Sequence, residues 1–215
     1  KSQLGYDKTI TQASNNLEQA NKLLDEAGWI TNQSTGFREK DGKKLSIKLT
    51  SRNTSEYSYV AQKLQSQWRA VGVDLQPILQ TSDDFEGTLT RHDYEILLYG
   101  ISLGLDPDVF AYWHSSQADI RSASRLNFSE YKSSTADKSL EAGRTRTDPS
   151  IRAIKYKPFL ESSRNDAPAV VFYQPRYLYI TRGALHGFSP TSINNATDRF
   201  ATVNDWMIRE EKTNK

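Results

Sequence analysis

The sequence predicts an α/β domain with a largely parallel central sheet, and two observations support this class. Strand-like and helix-like patterns alternate along the first half of the chain, which is typical of parallel sheets whose strands are joined by helices. The run YEILLYGI, residues 94–101, is mainly apolar, as expected of a central strand that is covered on both faces. The 215 residues are enough for one sizeable core.

The first predicted elements are a helix and a turn. Asn15 or Asn16 is a suitable helix cap, and Gly28 is a suitable stop signal. The apolar residues between them fall on one helical face: Leu17, Ala20, Leu23, Leu24 and Ala27. Gly36 and the pair Asp41-Gly42 then predict a turn that is consistent with a hairpin.

A strand, a helix and a second strand follow. Leu45, Ile47 and Leu49 alternate with polar residues, which indicates a strand. Ser55 begins a helix that ends at Gly72 and has an inward apolar stripe formed by Val60, Leu64, Trp68 and Val71. Residues 73–79 predict the second strand, and Pro77 indicates that this strand is bent or lies near an edge. Residues 81–91 predict a short helix before the strand in 94–101.

The second half of the chain has fewer distinct patterns. Two helices are predicted near residues 135–147 and 149–165, and Pro158 should kink the second of them. Residues 169–173 and 177–181 have the composition of strands on either side of Pro175. After Gly187 the periodicity fades, which predicts a loop and a weakly ordered tail.

Composition narrows the possible functions. Hydrophobic residues make up 36% and charged residues 25% of the chain, and the formal net charge of +2 gives no support for a nucleic-acid partner. The absence of cysteine excludes disulfides and thiolate metal sites. The first residues, KSQLG, do not resemble the apolar core of a signal peptide, so we expect a cytosolic protein or a mature or excised fragment.

One short motif suggests catalysis. Gly100-Ile101-Ser102-Leu103-Gly104 has the G-x-S-x-G pattern of a serine-hydrolase nucleophile elbow, and Asp166 and His186 follow Ser102 in a usable order. In an elbow, however, the helix begins immediately after the serine, whereas Leu105-Asp106-Pro107 intervene here. We therefore predict that Asp106 caps a helix that begins at Pro107 and runs to about Trp113. A hydrolase that uses Ser102 remains an alternative.

Other candidate chemistry is sparse. The three histidines are dispersed, and no pair has metal-ligand spacing, so the sequence predicts neither a metal site nor a cofactor. Trp113 fits either a ligand shelf or the core, because a large aromatic residue beside a strand exit can serve in both. Arg91 and His92, just before the third strand, are typical of a solvated helix end but also lie near a candidate binding edge.

Five segments give the chain a recognisable character. They occur in a fixed order from about Asn16 to Phe188: ANKLLDEAGW, LQSQWRAVGVDL, DPDVFAYWHSSQ, LNFSEYKSSTADKSLEAGR and DAPAVVFYQPRYLYI. Together they resemble the C-terminal lobe of the family 5 extracellular solute-binding proteins, the capture subunits of peptide- and nickel-importing ABC transporters. The resemblance implies a periplasmic-binding-protein-like (class II) lobe with a central, mostly parallel sheet flanked by helices.

The resemblance also implies a division of the chain and a place for it. Residues 1–187 would form the C-terminal lobe of a two-lobed protein, and residues 188–215 would be a return segment that packs on the first lobe. The function implied is capture of peptides or related small solutes outside the cytoplasmic membrane, without a cofactor. The implied partners are ABC permease subunits, with membrane attachment only through a lipid anchor outside this segment. A sensing or adhesion module on the same fold remains a further alternative.

In such a lobe the ligand lies beyond the carboxyl ends of the strands, as in α/β proteins generally. The implied ligand-binding residues follow the first and third strands or lie close to them: Arg52, Asn53, Arg91, Tyr99, Gly100, Ile101, Ser102, Leu103 and Trp113. Residues 99–105 would offer backbone groups to an extended ligand, as in strand addition. Peptide-binding relatives usually have an aspartate in this loop that pairs with the ligand's α-amino group. Residues 100–105 contain no acidic residue, a departure that argues against a peptide with a free amino terminus and leaves a longer peptide, a blocked or modified peptide, or a sugar as alternatives.

Overall fold

A computed structural model describes residues 4–103, 106, 108–176, 178–182, 185–189, 193 and 196–208. The elements in chain order are α1 (Leu17–Glu26), β1 (Ile30–Thr31), β2 (Arg38–Lys40), β3 (Lys43–Lys44), β4 (Ser46–Arg52), α2 (Ser55–Arg69), β5 (Asp74–Gln80), α3 (Ser82–Arg91), β6 (Ile96–Leu98), α4 (Phe110–Trp113), α5 (Ser134–Arg144), α6 (Pro149–Asp166), β7 (Leu185–His186) and β8 (Met207–Ile208). Short 3₁₀ segments cover Ser115–Gln117, Ala196–Phe200 and Val203–Asp205.

The central sheet confirms the predicted fold class. β4 lies between β5 and β6 and pairs with both in parallel. Buried residues of the three strands and of α2 form the first core, which contains Leu49, Ala61, Leu64, Leu75 and Leu98. β5 lies at an edge, as Pro77 indicated. β6 is shorter than the apolar run suggested, because the chain leaves the sheet after Leu98.

Helix α1 begins and ends where predicted but lies on the surface. The Asn16 side chain accepts a hydrogen bond from the Gln19 N–H at 2.9 Å, and Gly28 has the positive φ of a helix terminator. No side chain of this helix is buried, and Leu17 and Leu23 of its apolar face are both about half exposed. Polar contacts attach the helix to its neighbours.

Those polar contacts converge on Arg38, whose side chain is only 3% exposed. Its Nη1 donates to the Asp25 carboxylate at 2.6 Å and to the Trp29 carbonyl at 2.5 Å. Its Nη2 donates to the Asn21 side chain at 2.7 Å, and its Nε donates to the Val71 carbonyl at 2.8 Å. One buried guanidinium thus joins α1, the following turn and the connection between α2 and β5.

A second core lies between α5 and α6 and contains Ala136, Leu140, Tyr156 and Phe159. The helices approach closely at Gly143, where a Cβ would lie 2.5 Å from the Tyr156 ring. Helix α6 continues through Pro158 because the Ser139 hydroxyl of α5 enters its hydrogen-bond ladder. This hydroxyl accepts from the Phe159 N–H at 3.0 Å and donates to the Lys155 carbonyl at 2.5 Å.

The two strands predicted at residues 169–173 and 177–181 are not formed by the described residues of this region. Tyr177 lies outside the described residues. The described residues of these segments are instead exposed, with Val171 75% and Ile180 89% exposed. Their composition favours a strand, but a strand needs a neighbouring backbone, and here the Gln12 side chain supplies the contacts with both the N–H and the carbonyl of Val171.

The final region has local structure where only a loop and tail were expected. β7 and β8 pair antiparallel through Leu185 and Ile208, and through His186 and Met207. Aromatic rings gather beside this pair: Tyr179 stacks on Phe188 with 4.9 Å between ring centroids, and Phe200 lies 5.7 Å from Trp206.

Candidate functional site

The carboxyl ends of the three parallel strands meet at one edge of the central sheet. Arg52 of β4 is the register partner of Gln80 of β5, and Ser51 is the partner of Leu98 of β6. The Asn53 N–H donates to the Gln80 carbonyl at 2.7 Å, so the chain after β4 begins at this edge. Parallel strands therefore bring Arg52, Asn53 and the residues after Leu98 together.

Arg52 is held over the α3 side of this edge. Its guanidinium lies 5.7 Å from the centroid of the Phe85 ring and donates to Glu86 at 2.8 Å. Its Nε is buried, and no hydrogen-bond partner for it exists among the described residues. The Arg52 side chain therefore retains hydrogen-bonding capacity beside the sheet edge.

Tyr99 forms an aromatic contact with two neighbours as the chain leaves β6. Its ring centroid lies 6.1 Å from that of Phe85 and 5.1 Å from that of Phe128, the latter in an edge-to-face arrangement. Burial, with a smaller effect from the Glu86 carboxylate, raises the pKa of the Tyr99 hydroxyl. The residue is therefore a neutral hydrogen-bonding group at the start of the loop.

The Tyr57 hydroxyl approaches Gly100 closely. A Cβ at residue 100 would lie 2.8 Å from the Tyr57 hydroxyl, which is closer than real Cβ contacts allow. A side chain at this position would therefore need the Tyr57 hydroxyl to move.

The loop after Gly100 presents unpaired backbone. Ile101 is 44% exposed and Ser102 is also exposed, whereas Leu103 is half-buried. The N–H and carbonyl groups of residues 100–103 make no hydrogen bond with any described residue. Since backbone groups are normally paired unless they face solvent or a ligand, this loop is the part of the edge most suited to binding an extended molecule.

The structure adds residues that the sequence analysis missed. Glu56 and Tyr57 lie in the first turn of α2, directly after the Thr54 cap. The Tyr173 hydroxyl donates to the Glu56 carboxylate at 2.6 Å, which raises the Tyr173 pKa to about 12. Glu56 and Tyr57 could have been inferred from their position after β4, but no local signal links Tyr173 to this edge.

Asp106 does not cap a helix, contrary to the prediction. Helix α4 begins at Phe110, and its N-cap residue, Val109, makes no side-chain capping bond. The Asp106 carboxylate instead receives two bonds from Arg152, at 2.6 and 3.1 Å, and accepts the Asp108 N–H at 3.0 Å. Gly104, Leu105 and Pro107 lie outside the described residues, so the predicted start of the helix at Pro107 falls there.

Two of the predicted site residues lie apart from the edge. Trp113 packs against Phe159, with 6.3 Å between ring centroids, and belongs to the second core. The backbone of Arg91 ends α3, roughly 14 Å along the helix from Ser82, although its side chain reaches back to Gly87. With Gln80, Thr81 and Gly87 it lines an open groove of about 410 Å³ between the end of β5 and α3.

The described residues do not assemble an elbow or a metal centre. Ser102 makes no hydrogen bond to a histidine in the part of the chain that the structure describes, and no helix follows it directly. A search of the described residues finds no group of three potential metal ligands among His, Cys, Asp and Glu. No helix among them is long and apolar enough to cross a bilayer.

The chain is similar in sequence to known proteins. The chain is 27% identical over 172 residues to the oligopeptide-binding protein AppA of Bacillus subtilis, which is 79% of this chain and 31% of AppA. It is 33% identical over 145 residues to the oligopeptide-binding protein OppA of Lactococcus lactis subsp. cremoris, covering 63% of this chain and 22% of OppA.

Solved structures extend this likeness to the fold. The structure of AppA with a nonapeptide matches 77% of this chain and 33% of AppA, with a TM-score of 0.68 and 25% identity. That of NikZ from Campylobacter jejuni with Ni(L-His) matches 76% of this chain and 33% of NikZ, with a TM-score of 0.68 and 26% identity. This chain thus spans about a third of the length of these relatives.

The family assignment rests on a match over more than half of the chain. Residues 1–122 match the sequence model described as bacterial extracellular solute-binding proteins, family 5 middle. This segment includes the central sheet, the edge residues Arg52 and Asn53, and the loop at residues 100–103. The chain therefore belongs to the family 5 bacterial extracellular solute-binding proteins.

Proposed function

We propose that this chain is the ligand-capture lobe of an ABC-transporter solute-binding protein for peptides or related small solutes. The main support is the unpaired backbone of residues 100–103 at the carboxyl edge of a parallel sheet. Such groups can pair with an extended ligand as an added strand does. Arg52, Asn53 and Tyr99 would supply side-chain contacts on either side of this loop.

The proposal includes the organisation of the whole protein. Residues 1–187 would be the C-terminal lobe and residues 188–215 a return segment against the other lobe. Permease subunits would be the protein partners, and a lipid anchor outside this segment would attach the protein to the cell surface. The role is binding rather than catalysis, with neither nucleic acid nor a cofactor involved.

The ligand chemistry follows from the loop. Residues 100–103 contain no carboxylate that could pair with an α-amino group. An extended peptide held mainly through its backbone would therefore lose little affinity when its amino terminus is blocked. This predicts that a synthetic nonapeptide and its N-acetylated form bind with affinities within about threefold, or less than about 1 kcal/mol.

Titration calorimetry on the full-length protein with these two peptides tests the proposal. Ile101→Pro removes one backbone donor, while Ile101→Ala removes only the side chain and is the matched control. We expect the proline variant to lose at least about tenfold in affinity, roughly 1.4 kcal/mol, and the alanine variant to lose clearly less. Equal losses in both variants, or no binding of either peptide by the wild-type protein, would contradict the backbone-pairing site.

A hydrolase is tested separately. We expect no ester hydrolysis above the uncatalysed rate, and Ser102→Ala to leave peptide binding unchanged. Hydrolysis that Ser102→Ala abolishes would replace the binding role with catalysis.

A further inference from the structure

We infer that Arg152, on helix α6, is a positioning residue for ligand capture that fixes the far end of the binding loop through Asp106. This inference rests on the proposed function, because the loop it fixes is the proposed binding loop. Arg152 is 46 positions away from Asp106 along the chain, and it does not itself lie at the sheet edge.

The loop is held at its near end by the sheet. The Leu98 carbonyl accepts a hydrogen bond from the buried Ser51 hydroxyl at 2.9 Å, and Leu98 is the last residue of β6. The exposed backbone of residues 100–103 follows at once. Without a second attachment, these residues would be free to move as the end of an unpaired segment.

Arg152 provides the second attachment, and other contacts hold its side chain in place. Its side chain is 14% exposed, its Nε donates to the Gly143 carbonyl at 3.1 Å, and its Nη2 lies 3.3 Å from the Tyr156 hydroxyl. Both terminal nitrogens then donate to the Asp106 carboxylate in a bidentate pair. A planar guanidinium held in this way fixes the direction as well as the distance of its partner.

A second pair strengthens the same attachment. Asp108 accepts from the Phe110 N–H at 3.1 Å and forms an ion pair with Arg144 at 3.0 Å. The Arg144 guanidinium also lies 4.2 Å from the centroid of the Phe110 ring. Two arginines of the α5–α6 hairpin therefore bind two aspartates, Asp106 and Asp108, that follow the binding loop in the chain.

Fixing both ends of a binding loop favours capture because less conformational freedom is lost when the ligand binds. Breaking the distal attachment should therefore weaken binding without removing any ligand contact. We expect Asp106→Asn and Arg152→Met each to raise the dissociation constant of the nonapeptide for the full-length protein by about tenfold. Asp106→Asn retains an oxygen that can accept the Asp108 N–H and the Arg152 Nη2, so it removes the charge and the second bond of the pair, whereas Arg152→Met removes both bonds.

The test combines a double-mutant cycle with limited proteolysis. The double variant should bind no more weakly than Arg152→Met alone, since that substitution already removes the pair that Asp106→Asn weakens. In the unliganded protein, chymotrypsin should cleave after Tyr99 or Leu103 faster in each variant than in the wild type. Arg121→Met is the control, because the Arg121–Asp119 pair is exposed and distant in sequence from the loop.

The outcomes separate this inference from the proposed function. Weaker binding, non-additive losses and faster cleavage support the positioning role. Unchanged affinity in variants of a peptide-binding wild type overturns that role and leaves the proposed function intact, and additive losses overturn the claim that Arg152 acts through Asp106. A wild-type protein that binds no peptide overturns the proposed function and, with it, any role in positioning a ligand.

Discussion

Two stretches rich in β-branched and aromatic residues lie on either side of the α5–α6 hairpin, and only the earlier one forms a central sheet. β4 and β6 pair in parallel and bury Leu49 and Leu98, whereas residues 169–176 and 178–182 form no strand and are exposed. Side-chain composition is similar, so the difference lies in whether a partner backbone is available. A strand is thus a property of a pair of segments, while a helix satisfies its own backbone.

The edge strand β5 illustrates how pairing can also be prevented. The Asp74 N–H donates to Leu45 and the Gln80 carbonyl accepts from Asn53, so alternate residues of β5 face β4. The backbone groups of Leu75 and Pro77 consequently point away from β4, toward the outer edge of the sheet. There the Leu75 carbonyl accepts a hydrogen bond from the Gln65 side chain at 2.9 Å, and Pro77 has no N–H to donate. The outer edge of β5 is therefore poorly suited to pair with the exposed segment 169–173 as a further strand.

Among the substitutions considered, one at Arg38 should cause the largest loss of stability. Arg38→Met leaves the carbonyls of Trp29 and Val71 without their buried donor and releases α1, which has no buried side chain of its own. We expect the free energy of unfolding to fall by about 3 kcal/mol, measured with urea. Arg121→Met, which breaks an exposed pair, should change it by less than about 0.5 kcal/mol. Equal effects would show that α1 does not depend on the buried guanidinium.

Ser139→Ala should have the next largest effect. The substitution leaves the Phe159 N–H and the Lys155 carbonyl without their shared partner in a buried contact. The expected loss is about 2 kcal/mol in urea unfolding. Ser134→Ala, in the exposed first turn of the same helix, should cost less than about 0.5 kcal/mol. A neutral Ser139→Ala would mean that α6 closes its own ladder around Pro158.

A smaller, pH-dependent effect on stability is expected from the pair of Asp106 and Arg152. The Arg152 guanidinium lowers the pKa of this carboxyl below its ordinary value. Because the folded pKa is below the unfolded one, the pair stabilises the protein above about pH 4 and this stability is lost as the pH falls through the folded pKa. The carboxylate is mostly exposed, so the effect should be below about 1 kcal/mol.

Urea unfolding of the wild type and of Asp106→Asn between about pH 2 and about pH 7 measures this contribution, because that range covers the ordinary titration of carboxyl groups. The stability difference between the two proteins should shrink as the pH is lowered. A difference that stayed constant over this range would show that Asp106 is not stabilised as a carboxylate by Arg152.

The smallest effect should follow substitution in the exposed segment. Val171→Ser and Ile180→Ser alter side chains that are mainly in solvent, so the free energy of unfolding of this chain should change by less than about 0.5 kcal/mol. Thermal unfolding of each variant beside Leu75→Ser, which alters a buried β5 residue, provides the contrast. A large loss from Val171→Ser would place this segment in a core after all.

The sequence analysis was most accurate where the signals are local. Asn16, Gly28 and Gly72 marked helix ends correctly because capping and positive φ depend on neighbouring residues. It was wrong for Asp106, since an arginine far along the chain binds the carboxylate that a cap would use. It also omitted Tyr173 from the sheet edge, because its contact with Glu56 joins residues 117 positions apart.

The Ser139 hydroxyl has a consequence for the order of folding. Proline interrupts the growth of α6, so its two parts, before and after Pro158, are each too short to be stable as isolated helices. The bridge across the interruption comes from α5, which means that α6 can be completed only after the two helices have met. A peptide of residues 149–166 should therefore have little helical circular dichroism, while one of residues 134–166 should have more than the sum of its parts. The α5–α6 hairpin would then fold as one cooperative unit, with docking preceding the completion of its second helix.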